Sequence, residues 1–133
     1  MALIVPEGRT HTDAAIACLE AAGLTVGDAS GSNLAKPYLV IYGDQGTLDG
    51  PMGDRFADLN QTLTVHGVGD GPQQAQWVGD KARAALLSTP VDVTDRAVLY
   101  LTHLTTVPIQ RDDSIQPPIF YTVDQYALAT TPA

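Results

Sequence analysis

Basic residues, cysteine and long apolar runs are all scarce in this sequence. Its 133 residues include seven lysines and arginines against fifteen aspartates and glutamates, which gives a formal net charge of −8. Binding to nucleic acid or to an anionic membrane depends on Lys and Arg, so this balance argues against both. The single cysteine, Cys18, excludes a disulfide within the chain. No run approaches the roughly 20 apolar residues of a membrane span. We expect a soluble protein that matures in a reducing compartment.

Residues that could carry catalysis or hold a metal are poorly placed for either role. The three histidines, His11, His66 and His103, have no histidine or cysteine three or four positions away, so there is no local pair of metal ligands. No serine lies in a G-x-S-x-G elbow, and Cys18 has no adjacent base. We therefore expect no enzymatic activity, no cofactor and no bound metal.

A strand, a glycine-rich corner and a helix follow one another in residues 61–87, around which the chain is organised. Leu63 and Val65 predict the strand. Asp70 is a candidate helix cap with Gln73 reaching back toward it, so the helix should begin near Gly71. The apolar residues that recur every three or four positions along this helix are Ala75, Val78, Ala82, Ala85 and Leu86.

Other segments predict one more helix and three more strands. Thr10 is a candidate cap for a helix that ends at Gly23. Its apolar side would carry Ala15, Ile16, Leu19 and Ala22. Residues 37–43, 96–107 and 119–128 are rich in β-branched and aromatic side chains and predict strands, the second of them closed by Pro108.

The order of these elements predicts a single α+β domain over residues 1–133. We expect a mixed, largely antiparallel sheet of about four main strands with two helices packed on one face, because two amphipathic helices each need an apolar surface. The last two strands are most simply antiparallel, while the strand–helix–strand passage before them is a right-handed crossover if its strands are parallel. Trp77 belongs either at the edge of the core or at a subunit boundary, and we favour the core edge.

The corner from Gly67 through Gly69 to Gly71 has the position of a phosphate-binding loop but not its sequence. The spacing of the dinucleotide fingerprint and the Lys-Ser/Thr pair of the triphosphate loop are both missing. Asp70 would also direct a negative charge at the ligand. A small-molecule-binding α/β domain that uses this corner is one alternative function.

Several segments together resemble a known family. PYLVIYG, the run GDGPQQAQWVGDKARAAL and the terminal RDDSIQPPIFYTVDQYAL, within residues 8–130, are similar to the tail terminator proteins of long-tailed (siphovirus-type) phages, particularly those infecting actinobacteria. The most specific parts are residues 73–87 and DDSIQPPIFYTVDQY. This resemblance implies a structural virion protein rather than an enzyme.

The resemblance also implies partners and a location. A tail terminator forms a ring, commonly of six subunits, that caps the tail tube, stops tube polymerisation and joins the tail to the head connector or stopper protein. It is assembled in the host cytoplasm and lies at the head-proximal end of the tail, with DNA passing through its lumen unbound and with no membrane partner. Another head-to-tail joining protein remains an alternative.

Two loops are the natural candidates for ring or tube contacts, since a closed ring needs two complementary patches on each subunit. The first, residues 44–58, is long for a compact domain. The second covers residues 109–118. The candidate interface residues in the two loops are Asp49, Met52, Arg55, Phe56, Arg111, Asp112 and Asp113.

Overall fold

The computed structural model describes residues 5–30, 34–50, 57–88, 90–114 and 116–133. Its elements, in chain order, are α1 (Gly8–Ala21), β1 (Val26–Asp28), β2 (Tyr38–Gly43), β3 (Thr47–Asp49), β4 (Asp58–Gly69), α2 (Pro72–Ser88), β5 (Arg96–Asp112) and β6 (Ile119–Pro132). In the described ranges, neither helix has the length and apolar character needed to cross a membrane.

All six strands belong to one sheet, in the order β1-β2-β4-β6-β5, with β3 paired to β4 beside β2. Among the described residues, the β1–β2 pair is the only parallel one, and the other four pairs are antiparallel. This confirms the expected α+β class and the antiparallel pairing of the last two strands. The two additional strands, β1 and β3, have three residues each, too few to leave a periodic pattern.

The last strand inserts into the sheet between β4 and β5. Both of these strands run antiparallel to β6 and are therefore parallel to each other without being neighbours. Helix α2 connects them across one face of the sheet. The passage predicted as a possible crossover thus joins two parallel strands that make no hydrogen bonds to each other.

The core lies between this face and the two helices. Alternate residues of β4, including Leu63 and Val65, are buried there, because successive strand side chains point to opposite faces. They belong to one hydrophobic cluster with Leu19 of α1, Val78 of α2 and Tyr126 of β6. Both helices therefore cover the same face, as expected from their single apolar stripes.

Glycines allow α2 to lie close to β4. A methyl group added at Gly69 would stand 2.6 Å from the backbone nitrogen of Ala75, and one added at Gly67 would stand 3.0 Å from Val78 Cγ1 of α2. Both distances are shorter than van der Waals contact. Gly67 and Gly69 are therefore explained by close packing of helix on strand.

The capping contacts of both helices differ from the sequence predictions, although α2 begins at Pro72, as expected from a start near Gly71. The helix α1 begins at Gly8, and Thr10, the predicted cap, lies inside it with its hydroxyl donating to the Glu7 carbonyl. At the start of α2, the side chain that reaches back is that of Gln74 rather than Gln73: its Oε1 accepts from the Asp70 N–H at 2.7 Å. Asp70 itself pairs with Lys36, so its carboxylate serves a tertiary contact.

Two predicted boundaries are wrong. Pro108 does not close β5, which continues to Asp112, because this proline lies at a register shift on an edge strand, where no ladder hydrogen bond is lost. The loop after β5 is consequently residues 113–118. The predicted long loop of residues 44–58 contains β3, and its last residue, Asp58, already belongs to β4.

Trp77 is also not where we expect it from the helical pattern. Its side chain is 50% exposed on α2, with the Lys81 ammonium 5.8 Å from its ring centroid. It lies about 100° around the helix from Val78, on the side away from buried Gly79, and so falls outside the buried stripe.

Candidate interaction surfaces

The outer strand β5 carries an exposed apolar surface. Its four large apolar side chains that stand in solvent are Leu99, Tyr100, Leu104 and Val107, with exposed fractions of 40–57%. We call these four residues the β5 strip. Because β5 is the last strand of the sheet order, its outer backbone edge has no strand beside it among the described residues. Exposed apolar side chains along a long free edge are typical of a protein–protein contact.

Three register shifts interrupt the pairing of β5 with β6. They fall between Val98 and Tyr100, between His103 and Thr105, and between Val107 and Gln110. Leu99 and Leu104 are the extra residues of the first two. A bulge bends the strand and changes the direction of its side chains, so these leucines are displaced from the regular alternation that would bury every second residue.

The first of two buried polar clusters centres on Asp124 and includes His103. Asp124 on β6 is buried and accepts hydrogen bonds at Oδ1 from Arg83 Nη2 of α2 at 2.9 Å and from His103 Nε2 of β5 at 3.0 Å. Burial raises the pKa of Asp124, but the hydrogen bonds from His103, Thr106 and Arg83 outweigh it and hold the pKa below its usual range. The cluster joins a helix and two strands.

The second buried polar cluster centres on His11 of α1. Its Nδ1 lies 2.6 Å from the Glu7 carbonyl and its Nε2 lies 2.6 Å from Thr130 Oγ1. A carbonyl can only accept, so Nδ1 carries the proton and Nε2 of the neutral ring accepts from Thr130. Burial lowers the pKa of His11 and favours this neutral form. Arg96 Nε in turn donates to Thr130 Oγ1.

A row of aromatic rings crosses the sheet face that the helices leave open. The rings of Tyr42 and His66 meet edge to face with centroids 5.2 Å apart, and those of His66 and Tyr121 stack with centroids 5.9 Å apart. Burial among its neighbours lowers the pKa of His66. The row links β2, β4 and β6 through contacts between neighbouring strands.

A groove lies beside the strands that pair with the edge of β4 facing away from β6 and β5. It is found between the N-terminus of α1 and the corner that joins β2 to β3. Its volume is about 1080 Å³, and residues at its lining include Val5, Glu7, Arg9, Asp44 and Leu48. We call it the corner groove. Val5 and Leu48 are exposed apolar side chains.

The wall of the corner groove is fixed by a buried amide. Gln61 Nε2 of β4 lies 2.9 Å from each of three oxygens, the Gly8 carbonyl, Thr12 Oγ1 and the Asp44 carbonyl. The Asp44 carboxylate also accepts from the backbone N–H groups of Gly46 and Thr62. These contacts hold the helix start and the β2–β3 corner in one arrangement.

The predicted interface residues fall into three groups. Met52, Arg55 and Phe56 lie outside the described residues. Asp49 is exposed at the end of β3, and its Oδ1 accepts from the Gly50 N–H.

Arg111 and Asp112 form the end of β5 rather than a loop, and Asp113 follows them. Arg111 Nε donates to Asp113 Oδ1 at 2.6 Å, and its guanidinium lies 5.8 Å from the Phe120 ring centroid. Hydrogen bonds from Ser114 lower the pKa of Asp112. Arg111, Asp112 and Asp113 therefore lie together at the end of β5, on one edge of the sheet. Asp49 lies on β3, which pairs with the other side of β4.

The sequence predictions did not include the β5 strip or the corner groove. A signal for the first was present, since Leu99 and Tyr100 are adjacent apolar residues that a half-buried strand cannot bury together. Which strand forms the sheet edge depends on pairing between distant segments and has no local signature.

The glycine corner lines none of the three cavities that we describe. The corner groove, the cavity of about 360 Å³ beside Asp124 and the cavity of about 440 Å³ beside His11 are lined by residues other than Gly67, Gly69 and Gly71. The geometry at this corner therefore favours helix packing over ligand binding.

Comparison with known proteins finds similarity to solved structures. No family model and no curated protein matches the chain. The chain is similar to a solved structure described as "Structure of bacteriophage SPP1 gp17 protein", with 15% sequence identity and a TM-score of 0.46. The similarity covers 95% of this chain and 91% of that one.

Proposed function

We propose that this protein is a phage tail terminator, a non-enzymatic structural protein that forms a ring on the end of the tail tube. The observation that carries the proposal is the β5 strip, where four large apolar side chains remain 40–57% exposed along one edge of an otherwise ordinary sheet. Apolar surface of this kind stabilises a complex when a partner covers it. The resemblance of three sequence segments to tail terminators supplies the identity of the assembly.

A ring of one kind of chain uses a single contact repeatedly, and this contact joins two different patches. The described surface offers such patches on opposite sides of the sheet, the β5 strip and the corner groove. Six subunits would carry about 48 excess negative charges in total, given −8 on each. A share of these along the lumen would let DNA slide through without the attraction that basic proteins exert on phosphate.

In the proposed assembly cycle, the tube is completed first and the ring then binds its open end. The head connector finally attaches to the free face of the ring. The ring stops tube growth by occupying the surface on which the next tube subunit would bind. No group of this protein needs to react in that cycle. The expected location is the head-proximal end of the tail.

The test is to add the purified protein to polymerising tail tube protein. We expect native mass spectrometry to detect a ring-sized species and negative-stain electron microscopy to reveal tubes that stop growing and carry a ring at one end. A chain that stays monomeric and binds nucleotides would instead support the small-molecule-binding alternative.

Another head-to-tail joining protein would also form a ring, so the partner must be identified. Capture experiments with immobilised tube protein and immobilised connector protein make the distinction. A terminator should bind the end of the tube without the connector, whereas a joining protein from the head side should bind the connector and leave tube growth unchanged.

A further inference from the structure

We propose that the β5 strip of one copy docks in the corner groove of the next copy, and that this is the repeated contact of the ring. The inference deepens the proposed function and rests on it.

The two surfaces are placed as a cyclic contact requires. β5 lies at one end of the sheet order, while β3 and the end of β2 lie on the side of β4 that faces away from β6 and β5. A patch and its acceptor on different sides of a subunit generate a head-to-tail contact, which closes into a ring when the rotation between copies allows it. Two identical patches meeting would give only a dimer.

The size of the groove suits a chain segment. Its volume of about 1080 Å³ is comparable with the largest typical small-molecule pockets, of roughly 1,000 Å³, and leaves room for several side chains. The strand has 17 residues, or roughly 58 Å of extended chain at about 3.4 Å per residue, so only part of it need enter the groove. Its leucines would meet the exposed apolar side chains of Val5 and Leu48.

Charge favours this pairing over other contacts between copies. Each copy carries −8, so contacts between acidic surfaces are opposed by repulsion. Between Arg96 and Arg111 the strand has no aspartate or glutamate at all. It can therefore approach Glu7 and Asp44 of the groove without like-charge repulsion.

Two pairs of substitutions break the two halves separately. The strip variant is Leu99→Glu with Leu104→Glu, and the groove variant is Val5→Glu with Leu48→Glu. Each adds two negative charges at sites that are already exposed, so circular dichroism and thermal melting should show a folded protein. The matched control is Gln73→Glu with Leu87→Glu, which adds the same charge at exposed positions of α2.

We expect native mass spectrometry to detect rings for the wild type and the control, and monomers for the strip and groove variants alone. An equimolar mixture of the two variants should form a 1:1 heterodimer and nothing larger. The heterodimer joins the intact strip of one chain to the intact groove of the other, and both of its free ends are broken. Milder variants, Leu99→Ser with Leu104→Ser, should weaken assembly at least tenfold in the same assay.

Three results would overturn the docking assignment while leaving the ring proposal in place. They are rings formed by either broken variant alone, a homodimer of the groove variant through its intact strips, and a mixture without heterodimer although the wild type forms rings. A wild type that remains monomeric both alone and with tube protein would instead overturn the ring itself.

Discussion

Arg83 on α2 and Asp124 on β6 form an ion pair, with 2.9 Å between Nη2 and Oδ1. The aspartate is buried, while the arginine side chain is partly exposed. The pair joins α2 to β6, the strand that lies between β4 and β5 in the sheet. It therefore fixes α2 against a strand inside the sheet.

We predict that Asp124→Asn lowers the free energy of unfolding by about 2 kcal/mol. Breaking a fully buried ion pair costs about 3–5 kcal/mol, and the exposure of Arg83 to water reduces that penalty. Urea denaturation at pH 7 measures the change. Asp80→Asn, at an exposed position on the same helix, is the control and should change stability by no more than about 0.5 kcal/mol.

The stability difference between the wild type and Asp124→Asn should depend on pH. The pKa of Asp124 is lower in the folded state than its ordinary value, so the stabilisation is fully present above about pH 4 and is lost as the pH falls through the folded pKa. We expect the two unfolding curves to converge in acid. A difference that stays constant down to pH 2 would mean that packing, not charge, accounts for the effect.

A separate pH dependence should come from His11. Burial keeps its folded pKa below the value of about 6.5 that it has when unfolded, so the unfolded state binds more protons between the two values. Stability should therefore fall as the pH drops below about 6.5, by up to about 1.4 kcal/mol per pH unit.

His11→Gln should flatten this slope between pH 7 and pH 5. His66, whose pKa is lowered by burial too, contributes in the same direction, so His66→Gln should flatten it further in the double variant. An unchanged slope in the double variant would contradict the prediction, and chemical denaturation at each pH provides the measurement.

The glycine corner offers a prediction with an internal control. Gly69→Ala places a methyl group 2.6 Å from the backbone nitrogen of Ala75, so helix and strand must move apart, at a cost of about 1–3 kcal/mol. Gly71→Ala meets nothing within 4 Å and should change stability by no more than about 0.5 kcal/mol. Equal effects of the two substitutions on the urea midpoint would contradict the packing explanation.

The sequence predicts the elements whose signals are local. The helix α2 follows from apolar residues at helical spacing, and β2 follows from five β-prone residues before Gly43. The Thr10 cap is wrong because α1 begins at Gly8, two residues earlier, and the Thr10 hydroxyl donates to the Glu7 carbonyl inside the helix. The contact that Gln73 was expected to make at the start of α2 is also wrong. Here one residue, Gln74, reaches the donor that its neighbour was expected to reach.

The candidate site is less predictable, because it depends on which segments pair. Leu99 and Leu104 are exposed because β6 pairs with only one side of β5 and because bulges displace them from the regular pleat. Asp124 is buried in a strand whose polar residues would be expected to face solvent. Its partners, Arg83 and His103, are 41 and 21 positions away, beyond the reach of any local pattern.

The last prediction concerns salt. Copies that each carry −8 repel one another, and the screening length falls from about 10 Å at 0.1 M salt to about 3 Å at 1 M. If apolar contacts of the β5 strip hold the ring together, raising sodium chloride from 0.05 to 0.5 M (roughly a threefold shorter screening length) should strengthen assembly. Light scattering or sedimentation at several protein concentrations measures the shift. If ion pairs across the contact held the ring together instead, the same change would dissociate it, and that result would contradict an apolar strip as its main attachment.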